Sequence, residues 1–339
     1  MPRATRRRLA SISPLGLESP TPPPDELIVT YDDIVWDRTV LSQPIPIGEA
    51  YLAGAGAIGN GFLWAARHVD VHGTLHVVDD DFVSAGNLQR QIWFTTEDIK
   101  SPKTEVLCRK AQPHLYNCRL IPAKCRLQEH PNRAGSWLRR LIVAVDSRRS
   151  RRELQNELPY EVFDASTTDV REIVVHYNRQ PLEFACLGCV YSRDQREVSQ
   201  DQAIAEHLGV TVADVRTSRI SGDIAQRILF KHPQLKKGDI EGLPFDTLYK
   251  QLCASQQLQN FAAKQIVTPF AFVSVLAGAY LLLELVQRVN SEPSPNSNEW
   301  RINPWRAPFP EGRYLRPKRP DCECCGREEL QRFARRLWA

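Results

Sequence analysis

Between Ala50 and Asp81 the sequence reads AYLAGAGAIGNGFLWAARHVDVHGTLHVVDDD, and three of its glycines constrain the surrounding chain more than any other residues. An apolar run, Tyr51 to Ala53, enters the turn Gly54-Ala55-Gly56-Ala57-Ile58-Gly59. Glycine reaches backbone angles that other residues avoid, so the chain can reverse sharply there. The spacing then predicts a helix and a second strand, Thr74 to Val78, ending in Asp79-Asp80-Asp81. Strand, glycine turn, helix, strand, acid is the opening unit of a wound α/β sheet. The free N–H groups and positive dipole end of such a helix suit a phosphate. Asp79 stands about twenty residues past Gly59, where a carboxylate takes ribose hydroxyls.

Alternation continues beyond this unit. Leu115 to Leu127 holds one strand, and Leu141 to Val145 is a continuous apolar run of the kind covered on both faces. That run ends at Asp146, a basic helix spans Ser147 to Leu158, and Glu161 to Asp164 and Glu172 to His176 read as further strands. Residues 195–265 are polar and helical, with no clear strand. Within them Ile204 to Gly222 mimics a helix-turn-helix, but Arg216 and Arg219 are its only strong base-reaching side chains, so a helical insertion is expected. Ile266 to Leu283 is nearly long enough to span a bilayer. Pro269, Ser274 and Gly278 interrupt it and Glu284 follows, so it reads as a buried core helix. Residues 288–321 read as a loop, and 327–338 as a short helix with Leu330, Phe333 and Leu337 on one face.

The expected fold is therefore α/β: a Rossmann-like wound mixed sheet with helices on both faces, a helical insertion and a structural zinc site. The expected division is a disordered tail (1–25), a nucleotide-binding core (26–194), the insertion (195–265), and a C-terminal helix, loop and metal-binding tail (266–339). The chain has 339 residues, 25% charged, with a net charge of +4. That balance argues for neither nucleic acid nor membrane as partner. Arg6, Arg7 and Arg8 precede no apolar stretch, so no secretory signal is expected. Nine cysteines with two CxxC pairs suit a reducing, cytoplasmic compartment.

A glycine turn alone fits a nicotinamide-dependent oxidoreductase. Asn87, Arg90 and Gln91 follow the acids, and Lys103 follows Ser101-Pro102. A triphosphate attacked at its α-phosphorus, with pyrophosphate departing, needs fixed cations and usually Mg²⁺. Arg90 and Lys103 would supply the cations. Asp146, at the carboxyl end of a central strand, would hold the metal.

Asp79-x-Asp81-x-Val83, then Asn87-Leu88-x-Arg90-Gln91, Pro102-Lys103-x-Glu105 and Asp146 together resemble the ubiquitin-activating-enzyme superfamily. Its bacterial members include the ThiF/MoeB-like adenylyltransferases of the thiamine and molybdopterin sulfur carriers. The resemblance runs from about Asp37 to Cys325. It implies that Gly54, Gly56, Gly59, Asp79 and Asp81 bind ATP, that Asn87, Arg90 and Lys103 contact its phosphates or ribose, and that Asp146 binds Mg²⁺. Arg38 would match an arginine that reaches the partner subunit's ATP. Ser147 departs from the family, where asparagine is common.

Cys186-Leu-Gly-Cys189 and Cys322-Glu-Cys324-Cys325 form a CxxC…CxxC set. Four thiolates make a closed, structural tetrahedral zinc site. Cys324 is a spare that could replace Cys322 or Cys325. Cys108, Cys118 and Cys125 read as buried apolar residues. His68, His72 and His76 are four apart, but Gly73 separates them into different elements. The resemblance places a nucleophile near Cys253, whose thiol would capture an acyl-adenylate as a thioester, with Lys250 favouring the thiolate.

The expected partners are a ubiquitin-like or sulfur-carrier protein ending in glycine, a conjugating enzyme and a second copy of the chain. Two alternatives lie close by: adenylation alone for sulfur transfer, and an inactive carrier-binding subunit.

Overall fold

A computed structural model describes residues 42–168, 171–193, 195–217, 219–246, 248–249, 252, 270–290, 297–306 and 312–339. Strand β1 (Ile45–Ala53) leads through the glycine turn into helix α1 (Ala57–Ala66) and β2 (Val71–Val78). Helix α2 (Lys103–Ala111), β3 (Cys118–Ala123), β4 (Arg140–Val143), α3 (Arg148–Asn156), β5 (Glu161–Thr168) and β6 (Glu172–Arg179) follow. A one-turn helix, α4 (Leu187–Val190), is capped by Cys186 and carries Cys189. The insertion contributes α5 (Gln195–Leu208), α6 (Val212–Val215), α7 (Gly222–Lys231) and α8 (Lys237–Ile240). Helix α9 (Ala271–Asn290), β7 (Glu299–Ile302), β8 (Arg313–Tyr314) and α10 (Glu328–Leu337) complete the chain.

The eight strands form one sheet in the order β3-β2-β1-β4-β5-β6-β7-β8. Pairing is parallel from β3 to β5 and antiparallel from β5 to β8. The order reverses between β1 and β4, so a crevice opens outside their carboxyl ends. One face of the sheet is covered by α1, α2 and α9, through Phe62, Leu63, Val106, Leu107, Leu281 and Leu285. The other is covered by Leu138, Leu154, Leu187 and Tyr191 over Tyr51, Leu141 and Val143.

Helix α9 passes a membrane-span test by length and composition, with 61% of its most apolar stretch buried. It packs as a core helix. A Cβ on Gly278 would meet the backbone N of Phe62 at 2.3 Å, and one on Gly61 the Cα of Val275 at 2.7 Å. Glycine on both sides is what lets the two helices approach so closely. Its one internal carboxylate, Glu284, is 4% exposed and pairs with Arg288 at 2.8 Å and with Arg313 of β8 at 3.0 Å.

One expectation needs correction, and the reading of residues 204–222 as part of a helical insertion agrees with the structure. Residues 288–321 are not only loop, because they hold β7 and β8, which extend the sheet. The helix-turn-helix lookalike ends in α6, a single turn. Ile204, Leu208 and Val215 of its two helices turn inward with Ile220, Ile224, Ile228, Ile240 and Phe245 into a core that belongs to the insertion. In α10 only Ala334 is fully buried and Phe333 stays 59% exposed, while the Trp338 indole beyond it donates to the Leu158 carbonyl at 2.8 Å.

Candidate active site

The glycine turn lies at the carboxyl edge of β1. Gly54 has φ +108°, and a Cβ there would meet the Ala144 carbonyl carbon and oxygen at 2.7 Å. A Cβ on Gly59 would come within 2.2 Å of the Gly54 oxygen. These two glycines are therefore demanded by the protein's own packing. Gly56 is different: no atom lies within 4 Å of where its Cβ would be. It caps α1 without a side chain, so the N–H groups of the first turn face open space. That space suits a phosphate.

Asn60 buttresses the turn. It is fully buried and its side-chain amide donates to the carbonyls of Ala55 and Gly56 at 3.0 and 2.9 Å. Its Oδ1 accepts from the Trp93 backbone N–H at 3.1 Å, and its carbonyl accepts from the Trp93 indole at 3.1 Å. The segment carrying Asn87, Arg90 and Gln91 is thereby tied to the phosphate turn. Sequence reasoning missed this residue; a buried amide one step past the last glycine of the motif is the signal that marks it.

The acids close the other side. Asp79 accepts from the Ala55 N–H at 2.7 Å and from the Asp81 N–H at 2.9 Å. Burial pushes the Asp79 carboxyl up to about 6, with Lys103 opposing and Asp81 adding to the rise. The Lys103 ammonium is buried and bonds Asp81 at 2.8 Å. Desolvation works against its charge, but Asp79, Asp81 and Asp146 outweigh it and raise its pKa above the ordinary lysine value. Desolvation lowers the pKa of Arg90, with Asp146 opposing. Arg90 donates to the Gly86 carbonyl at 2.9 Å. Asn87 Oδ1 accepts from the Ser84 N–H at 3.2 Å, which shapes the turn that presents Arg90.

Asp146 is exposed, a few residues past the end of β4, and its charge is felt by Arg90, Lys103 and Arg151. The fold thus gathers Gly54, Gly56, Gly59, Asp79, Asp81, Asn87, Arg90, Lys103 and Asp146 at one edge. Arg38 and Cys253 lie outside the described residues, and so does Lys250.

The residues suit Mg²⁺ and a nucleotide. The carboxylates of Asp79, Asp80 and Asp81 lie within 4.8 Å of one another, but each is engaged. Asp79 holds backbone N–H groups, Asp81 holds Lys103, and Asp80 holds Arg219 of the insertion at 2.6 Å. Asp146 is exposed at the same edge and offers hard carboxylate oxygens.

The four cysteines converge. Cys186, Cys189, Cys322 and Cys325 bring their sulfurs within 4.8 Å of one another, with pairs at 4.0, 3.6 and 3.3 Å. Tetrahedral Zn–S bonding sets sulfurs ~3.8 Å apart. Four sulfurs ionised together at such distances would need a cation between them, which is what zinc would supply. The Arg319 N–H donates to the Cys189 sulfur at 3.3 Å. Cys324 points elsewhere, its sulfur 4.0 Å from the Gln155 carbonyl, so the open choice resolves to Cys322 and Cys325. Cys108 and Cys118 are buried, with thiols that burial pushes up to about 12 and about 11. His76 faces Glu49 at 3.0 Å and stacks on Tyr51, away from His68.

Comparison with known proteins adds the lineage. The chain is 29% identical over 320 residues to protein y4jF of Sinorhizobium fredii, covering 88% of this chain and 60% of that protein. It is 50% identical over 89 residues to the sulfur carrier protein ThiS adenylyltransferase of Escherichia coli, covering 23% of this chain and 30% of that protein. This chain thus spans at most 60% of the length of these two relatives. Among solved structures, E. coli MccB with ATP superposes with a TM-score of 0.49 at 14% identity, over 85% of this chain and 69% of that one. The ThiF family pattern matches residues 48–324, a span that holds the glycine turn, the acids, both cations and three of the four cluster cysteines, and the chain belongs to the ThiF family.

Proposed function

We propose that this chain is an ATP-dependent activating enzyme that adenylates the C-terminal carboxylate of a ubiquitin-like or sulfur-carrier protein. One observation carries the reading. Asp79 bonds the glycine turn at the Ala55 N–H, Lys103 bonds Asp81 beside it, and the Asp146 charge is felt by both cations, Arg90 and Lys103. A dinucleotide site has no use for that set, which leaves an oxidoreductase unsupported.

The carrier carboxylate oxygen bonds to the α-phosphorus as the bond to the bridging oxygen of pyrophosphate breaks. The N–H groups of α1 and the side chains of Arg90 and Lys103 take up negative charge that builds on the phosphates. Asp79 orients the ribose. Bound Mg²⁺, held by Asp146, would neutralise phosphate charge. Buried Lys103 already carries its proton, so it serves as a fixed charge and not as a base.

The test is ATP–pyrophosphate exchange with candidate carriers ending in glycine. The wild type exchanges, and Lys103→Ala loses the activity by about a hundredfold or more. Absence of exchange with every carrier would overturn the reading.

A second step, capture of the acyl group on Cys253, rests on the sequence. Cys253→Ala is expected to keep exchange and lose a thiol-reducible carrier adduct. If the wild type forms no adduct, adenylation alone for sulfur transfer replaces it. An inactive carrier-binding subunit would bind carrier and show no exchange. A homodimer in the cytoplasm, working with a conjugating enzyme, completes the reading, and sedimentation equilibrium tests the dimer.

A further inference from the structure

Helix α3 begins two residues after Asp146 and carries arginines at 148, 149, 151 and 152, three of them buried. Such a helix is ordinarily a solvated face. Here each buried arginine has a specific target, and one set of contacts joins the cysteine cluster to the nucleotide edge.

Arg151 is 2% exposed. Its guanidinium donates to the Val145 carbonyl, on the residue directly before Asp146, and to the carboxylate of Asp164. Asp164 is fully buried in β5 and accepts from the Tyr191 hydroxyl at 2.5 Å. The same hydroxyl reaches Ser166 at 2.9 Å, and Arg151 lies over the Tyr191 ring at 5.0 Å. Tyr191 is two residues past Cys189 and is held by the cluster's own turn. Its N–H donates to the Leu187 carbonyl at 2.9 Å, and its carbonyl accepts from Arg152 at 2.7 Å. The Asp146 charge raises the pKa of Arg151, against the larger lowering by burial.

We propose that Tyr191 is a positioning residue for nucleotide-bound metal: through Asp164 and Arg151 it fixes the Val145 carbonyl and so the direction of the Asp146 carboxylate. This rests on the assignment of Asp146 to Mg²⁺ made above. The physical argument is one of alternatives. Holding the Val145 carbonyl holds the backbone from which the Asp146 side chain leaves, and a divalent ion demands one carboxylate orientation. Asp164 is the fixed anchor because it sits mid-strand. The charge-assisted bonds of Arg151 to Asp164 and to Val145 are shared by one planar guanidinium, so rotating one breaks the other. The Tyr191 hydroxyl orients Asp164 from the opposite side. A network that only held the core together would have no need to end on the residue before Asp146.

Tyr191→Phe tests this, because it keeps the ring and its contact with Arg151 while removing the hydroxyl. The readout is ATP affinity by calorimetry, with and without Mg²⁺, on the full chain, together with its metal content and melting curve. The expected result is a fall of about tenfold in the Mg²⁺-dependent gain in affinity. Mg²⁺-free ATP affinity should stay within about twofold. Equal losses with and without Mg²⁺ would reduce Tyr191 to a structural role, and no loss in either would also overturn the proposal. Asp146→Asn separates the two layers. If it abolishes the Mg²⁺ gain while Tyr191→Phe leaves it intact, the relay alone falls. If Asp146→Asn keeps the gain, the metal assignment and the relay fall together.

Discussion

Asp79 owes its charge state to where the fold buries it. Its carboxyl is pushed up to about 6 by burial, while its two acceptor contacts come from backbone N–H groups. Ribose hydroxyls need the ionised form as acceptor, so protons compete with the nucleotide. ATP affinity should hold steady above pH 7 and weaken about tenfold by pH 5, a range in which an ordinary aspartate stays ionised. Asp79→Asn should flatten that pH dependence while lowering affinity overall; calorimetry across pH checks both. The sign for folding is opposite in sense. The folded state holds this proton more tightly than the unfolded chain does, so the group's contribution to stability falls as pH rises from about 4 through 6. The motif letters Gly54, Gly56, Gly59, Asp79, Arg90 and Lys103 were legible because each has a spacing. Asn60 was not, since its role is to bond two carbonyls and a distant N–H. Those partners exist only once α1 has packed against the segment at Trp93.

At the scale of elements, the insertion has its own apolar core and meets the nucleotide-binding core through charge. Arg149 pairs with Asp201 at 2.6 Å, both buried, and also donates to the Val215 carbonyl at 2.6 Å. Arg152 pairs with Glu197 at 2.5 Å, and Arg219 with Asp80 at 2.6 Å. Removing one partner of a buried pair leaves the other charge stranded and costs about 3–5 kcal/mol. Asp201→Ala should therefore speed hydrogen exchange across α5 and α6 while β1, β4 and α9 keep their protection. Equal loosening everywhere would mean that the insertion and the sheet unfold as one unit. The helical character of this region was readable from its polarity. Its attachment was not, because arginines on a helix are usually solvated and their partners lie some 45 to 66 residues away. Strand β7 was missed for a related reason. Glu299-Trp300-Arg301-Ile302 offers only two apolar residues in alternation, and its Glu299 is buried by pairing with Arg301 and Arg316.

Across the whole molecule the cysteine cluster closes a loop between positions 136 residues apart. Closing a loop of that length is worth about 4–5 kcal/mol in chain entropy. Up to Arg316 the tail is also held by β8 and by the pairs Arg313–Glu284 and Arg316–Glu299, but beyond it fewer contacts reach the sheet among the described residues. Helix α10 buries one side chain fully, and the Trp338 indole makes a single bond to the sheet region. Apolar burial by so small a face is worth less than the closure, so zinc bound at these cysteines would decide whether the segment beyond Arg316 stays docked. Wild-type protein should carry one zinc per chain by elemental analysis. Replacing Cys322 and Cys325 together by serine should remove it, lower the melting temperature and open residues 317–339 to proteases. The loss should also reach Tyr191, which hangs from the turn of Cys186 and Cys189. The Mg²⁺-dependent part of ATP affinity should then fall in the double variant, with the Mg²⁺-free part little changed. A double variant that melts and resists proteolysis like wild type would show that these sulfurs only fill space, since a metal that closes so long a loop cannot be lost without effect.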